Sequence, residues 1–191
     1  VLAVLAGISI SIEPGIACYI PVGHRGPDQV LQLPKQQVLD RLRPWLQDDK
    51  AAKLLHNAKY DAHVFLNEGV ALAGIEEDTM LQAYVLESHR RVNLQELGER
   101  WLGRTGTTYE DLCGKGKSFI PFDEVPVACA SEYSCEDADL TLRLRAVFEP
   151  QLEAHHLLRL LQEIEVPLIG VLAEMEWTGI SIDVSGFAEL K

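Results

Sequence analysis

The chain has 191 residues, enough for one domain with an extension and a substantial core. It carries 17 Lys and Arg against 29 Asp and Glu, a formal charge of −12. That excludes a domain that grips duplex DNA through its own basic surface, but not a site where divalent cations carry the positive charge. The four cysteines form no C-x-x-C pair and the six histidines show no H-x-x-x-H spacing, which argues against a disulfide framework and a zinc site.

Residues 3–12 predict a strand, in which Ile8, Ile10 and Ile12 alternate with serines, the period of a half-buried strand. The opening apolar run lacks a basic n-region and is too short to span a bilayer. A Glu13-Pro14-Gly15 turn and a strand at 16–22 complete an antiparallel hairpin. After a Gly/Pro loop, residues 36–46 predict an amphipathic helix with Val38, Leu39, Leu42, Trp45 and Leu46 inward, its end blurred by Pro44. A short strand at 53–55 leads to Asn57, expected to cap a helix that turns Tyr60, Asp61, Val64 and Phe65 inward and stops at Gly69.

Residues 71–75 predict a short strand or loop. Asp78 caps a helix to about Leu86, and Asn93 caps another over 94–102 that Gly103 ends. Polar, glycine-broken loops at 104–109 and 114–117 follow, then a short helix at Phe122 capped by Asp123. The stretch 131–144 predicts a helix to about Phe148, interrupted by Pro150. Residues 151–177 carry a long helical pattern that Pro167 kinks or divides. A turn and short strand at 179–183 precede Ser185, which caps a last helix. The order gives an α/β class, a mixed sheet flanked by helices.

On the helix over 131–144, Tyr133, Asp137, Leu140 and Leu144 share one face, while Asp139 and Arg143 are spaced for an ion pair. A carboxylate on a leucine-lined face needs compensation. Hydrogen bonds would make Asp137 structural; a cation would make it functional. Asp61 is the second carboxylate with this ambiguity. Alone, it is explained by a charge–dipole contact at a helix start worth under ~1 kcal/mol.

Several short motifs stand in order: Ile12-Glu13-Pro14-Gly15 followed by Ala17-Cys18-Tyr19-Ile20-Pro21-Val22; His56-Asn57-Ala58-Lys59-Tyr60-Asp61; Asp78-Thr79-Met80-Leu81; Gly114-Lys115-Gly116-Lys117; and Tyr133-Ser134-Cys135-Glu136-Asp137, a Y-x-x-x-D motif. Together they resemble the 3′–5′ exonuclease (proofreading) domain of bacterial family A DNA polymerases, the DNA polymerase I group, over nearly the whole chain. Residues 163–183 resemble the segment that leads into the polymerase thumb, which a ribonuclease D-type RNA exonuclease should lack.

The resemblance implies a ribonuclease H-like fold over 1–150 and a helical junction over 151–191. It implies two Mg2+ or Mn2+ ions, typically about 4 Å apart, that activate a water for in-line attack on the terminal phosphodiester. Asp137 and Asp61 would be metal ligands, and Tyr133 would aim the water. Phe122 would stack on a terminal base and Asn57 contact the backbone, although core packing and an N-cap are the plainer roles for these two. The implied partners are a single-stranded DNA 3′ end and the polymerase domain of the same polypeptide, in the bacterial cytoplasm, with no membrane.

One motif of that family, D-x-E on the first strand, has no counterpart here: residues 1–11 contain no acidic side chain. The chain reads as an excised piece of a longer polypeptide, expected to bind metal weakly and to be nearly inactive as given. The alternative is a catalytically inactive spacer that supports a polymerase domain.

Overall fold

The computed structural model describes residues 3–26, 32–183 and 186. The expected cap at Ser185 lies outside them. Strands β1 (Gly7–Glu13) and β2 (Ile16–Pro21) form the antiparallel hairpin, with Ile8 opposite Ile20 and Ile10 opposite Cys18. Helix α1 (Lys35–Leu46) follows. Strand β3 (Lys53–Leu55) pairs in parallel with β4 (Ile75–Asp78), and helix α2 (Ala58–Asn67) connects them. Helices α3 (Thr79–Leu86), α4 (Leu94–Leu102) and the short α5 (Tyr109–Cys113) lead to α6, the longest element, at Val127–Ala154. A helical turn α7 (Leu158–Leu160), a π-helical turn at Leu161–Glu165 and α8 (Val166–Thr178) complete the described chain.

Two apolar clusters hold these elements. One joins the hairpin to α1 and α2 through Leu5, Ile8, Leu39, Leu46, Val64 and Phe65. The other joins α3 and α4 to α6 through Ala83, Leu97, Leu140, Leu144, Phe148 and Leu152. Leu140 and Leu144 are buried, as the one-face pattern predicts. Gly98 lets α4 approach α6: a Cβ there would stand 3.3 Å from Leu140 Cδ2. The Asp139–Arg143 ion pair forms at 2.7 Å, and Asp139 also accepts from the Gly15 N–H at 2.6 Å, tying α6 to the hairpin turn.

Helix α1 runs to Leu46 as expected, through Pro44, but Pro150 does not interrupt α6. Each proline removes one donor to the carbonyl four residues earlier, but Asp40 and Ala146, like the two prolines, lie on exposed faces, where water can serve that carbonyl. The chain divides at His155–Leu157, where His156 takes a left-handed φ of 60°; at Pro167 the backbone stays helical, with the π-helical turn at Leu161–Glu165 directly before it. Trp45, expected inward, is 40 % exposed, and the Lys53 ammonium covers its ring at 5.2 Å. Tyr60, also expected inward, is 48 % exposed.

Asn57 does not cap α2. It takes a left-handed conformation (φ 67°, ψ 50°), and its side chain makes no capping bond. The cap comes from Asp78, 1 % exposed. Its carboxylate accepts from the N–H groups of Asn57 (3.2 Å) and Ala58 (2.7 Å), and from those of Met80 (2.8 Å) and Leu81 (3.3 Å) at the start of α3. One side chain thus caps two helices, because the parallel β3–β4 pair brings both helix starts to the same strand ends. Likewise Asp123 caps no helix: it pairs with Arg25 at 2.5 Å.

Helix α8 packs on α2. Glu176 accepts from Lys59 (2.6 Å) and pairs with His63 (3.1 Å), and Trp177 stacks on His63 with centroids 6.2 Å apart. Lys59 and His63 flank Asp61 in the sequence, so α8 clamps the segment that carries it.

Replacing Asp78 by Ala should cost roughly 2–4 kcal/mol in chemical denaturation, since two helices lose their cap and buried N–H groups lose their acceptor. Asn57→Gly should change stability by less than ~0.5 kcal/mol, because glycine adopts the left-handed turn freely. A costly Asn57→Gly beside a mild Asp78→Ala would reinstate Asn57 as the cap.

Candidate active site

The site begins on α6, where Tyr133 and Asp137 are separated by one helical turn and both half-buried. The Tyr133 phenol and the Asp137 carboxylate lie close enough to interact. From α4, Gln95 Nε2 donates to Asp137 Oδ1 at 3.1 Å. Burial pushes the Asp137 carboxyl up to about 7, against the nearby Tyr133 and Gln95 donors, which favour its ionised form; the Glu136 charge adds to the rise. Burial, then the Asp137 charge, holds the Tyr133 phenol well above its ordinary range, so it stays a donor.

Phe122 joins this pair. Its ring lies 6.1 Å from that of Tyr133, edge to face, and 6.3 Å from Tyr109, stacked. His24 closes the other side at 5.8 Å. Tyr109 is pushed up to about 12 by burial first, then by its bond to Cys113 and by neighbouring charges that include the Tyr60 phenol of α2.

Asp61, one residue after Tyr60, sits on the first turn of α2. It makes no hydrogen bond or ion pair among the described residues, and burial, then the Asp78 charge, pushes its carboxyl up to about 7. The structure therefore brings Tyr133, Asp137 and Phe122 together. Asp61 relates to them through its neighbour Tyr60, with no bond between the two carboxylates. Asn57 contributes its backbone N–H to Asp78 and no side-chain bond.

Two half-buried carboxylates with raised pKa values and no ion pair among the described residues carry a desolvation cost that a cation would relieve. Among the described residues no three His, Cys, Asp or Glu gather as a closed metal cage. Hard oxygen donors still suit Mg2+ or Mn2+, and Mg2+ is commonly held by one or two carboxylates completed by water and phosphate. In donor chemistry Asp61 and Asp137 fit such an ion.

Three residues escaped the sequence reading. Gln95 carried no motif; its one signal is a position three residues before Gly98, on the α4 face that meets α6. Tyr109 lay in a stretch read as a plain polar loop. Asp78 was legible as the cap of α3 and not as the cap of α2.

A family model described as 3′–5′ exonuclease matches residues 2–153. The DNA polymerase I of Chloroflexus aurantiacus is 42% identical over 189 residues, covering 97% of this chain and 20% of that protein. That of Pseudomonas aeruginosa is 38% identical over 187 residues, covering 96% and 20%. The chain thus spans about a fifth of the length of these relatives. A solved structure described as the POL domain of Pol1 from M. smegmatis, in complex with DNA primer-template and dNTP, superposes with a TM-score of 0.68 at 27% identity over 92% of this chain and 26% of that one. Brucella melitensis NrnC superposes at 0.63 with 20% identity over 94% and 81%, a likeness of fold alone. The fold is the ribonuclease H-like α/β type that the motifs imply. With the model matched over most of its length and these relatives along nearly all of it, the chain belongs to the 3′–5′ exonuclease family of the DNA polymerase I type.

Proposed function

We propose that the chain is the editing portion of a bacterial DNA polymerase I, which hydrolyses the 3′-terminal phosphodiester of single-stranded or frayed DNA. The observation that carries this reading is the Tyr133–Asp137 pair, a phenol kept protonated beside a buried carboxylate that lacks a cation. Magnesium or manganese, when bound, would lower the pKa of a water and offset charge on the leaving oxygen. Asp137 and Asp61 would hold such ions with hard anionic oxygens. Tyr133 fixes the Asp137 carboxylate and offers its hydroxyl to the attacking water. Phe122, backed by Tyr109 and Tyr133, would present its ring to the terminal base, and Asn57, on the left-handed turn before α2, would meet the strand's backbone.

The remaining partner is the polymerase portion of the same polypeptide, with residues 151–191 as the junction. Ile164, Leu168, Val171 and Met175 support this: they leave an exposed apolar row across the π turn and α8. No helix of the described residues is long and apolar enough to cross a membrane. With two carboxylates assigned and no acidic residue in 1–11, the chain as given holds metal weakly and turns over slowly. The second reading is a spacer that keeps the fold without the chemistry.

A 5′-labelled single-stranded oligonucleotide should be shortened from its 3′ end slowly or not at all with Mg2+ or Mn2+, and any shortening should vanish in Asp137→Asn. Rapid turnover would refute the incomplete site. Millimolar Mn2+ should raise the melting temperature of the chain but not that of Asp61→Asn or Asp137→Asn; the spacer reading expects no rise in any of them.

The metal-free chain gives a pH test. Both carboxyls titrate near 7 in the native state and near ~4 unfolded, so the native state keeps protons that the unfolded chain has released. Their contribution to stability is therefore full below pH ~4 and is lost as pH rises to about 7. Asp137→Asn should flatten that fall in urea denaturation; an unchanged slope would contradict the raised pKa.

A further inference from the structure

We propose that Gln95 is a positioning residue of the Asp137 site: its side-chain amide holds one carboxylate oxygen and so fixes the carboxylate for a ligand. The inference rests on the nuclease reading above and names a residue from a different helix as part of that site.

The geometry comes from helix packing. Gly98 of α4 meets Leu140 of α6, with a Cβ at Gly98 only 3.3 Å from the leucine. Three residues earlier on each helix stand Gln95 and Asp137, joined at 3.1 Å. Both pairs have the same sequence offset, so α4 and α6 run side by side in register, and the glycine that permits the Leu140 contact also brings the Gln95 amide to the carboxylate. The carboxamide has two N–H donors. One is spent on Asp137 Oδ1, beside the Tyr133 phenol one helical turn away on α6.

A carboxylate with no donor would be free to rotate about its last torsion. A donor from another helix restrains its plane. Donors of this kind orient ligands of metal sites, and their loss typically costs about 10–100-fold in metal affinity or activity. Nothing else in the described structure accounts for a glutamine amide turned inward here: Glu96, next to it, instead faces Arg91 at 3.6 Å on the exposed side.

The test uses the 191-residue chain and two readouts. In 1H–15N spectra the Gln95 side-chain amide is assigned by its loss in Gln95→Leu. It should shift in Asp137→Asn and stay fixed in Glu96→Gln. Mn2+ affinity, followed by the electron paramagnetic resonance of the free ion, should fall about tenfold in Gln95→Leu and further in Asp137→Asn. Should Gln95→Leu fail to fold, Gln95→Asn keeps an amide one methylene too short and should show the same loss. An amide unmoved by Asp137→Asn, or unaltered Mn2+ affinity in the Gln95 variants beside a clear loss in Asp137→Asn, would overturn the assignment of Gln95 alone. Equal Mn2+ affinity in the unsubstituted chain and Asp137→Asn would overturn the metal reading and this inference with it.

Discussion

A carboxylate withdrawn from water sits high in free energy until donors or a cation meet its charge. Asp137 is in that state by construction. The leucines one and two turns further along α6 must be buried for the domain to hold together, and they draw the same helix face inward at Asp137. Tyr133 and Gln95 meet part of the cost; the rest shows in a carboxyl that titrates near 7. Stability of the core and readiness of the site thus pull on one helix in opposite directions.

Helix α6 can bear that strain because contacts from across the chain converge on it. Asp139 holds the hairpin turn through the Gly15 N–H. Arg145 reaches Glu77 on β4 at 3.0 Å. Phe148 packs edge-on against Trp101 of α4, centroids 5.3 Å apart. Helix α2 is fixed separately, from one end by Asp78 and from its flank by Glu176 and Trp177. The two candidate carboxylates therefore sit on helices located by independent sets of bonds, so neither position depends on a bond to the other.

Much of this was legible in the sequence because it is local. The Ile-Ser alternation marked β1, the Tyr133–Leu144 periodicity marked the buried face of α6, and Asp78, Asn93 and Gly103 punctuate α3 and α4 where their chemistry says they should. What escaped depends on contacts between distant segments. Asn57 has the chemistry of a cap, and only the β3–β4 pairing gives that work to Asp78. Pro150 has the chemistry of a breaker, and only its exposure lets α6 continue. Gln95 is an unremarkable helix residue until Gly98 admits α6. Asp61 and Asp137 stand out locally as carboxylates on inward helix positions; joining them in one site is what the motif resemblance implies, since a spacing rule cannot join positions so far apart in the chain.

The proposed function requires Asp61 and Asp137 to serve divalent ions at one place. Paramagnetic broadening by substoichiometric Mn2+ in the NMR spectrum of the chain addresses it most directly. The account predicts that backbone signals of residues flanking Asp61 and those flanking Asp137 broaden together at the same Mn2+ level. Broadening at one carboxylate without the other, or at neither, would contradict it.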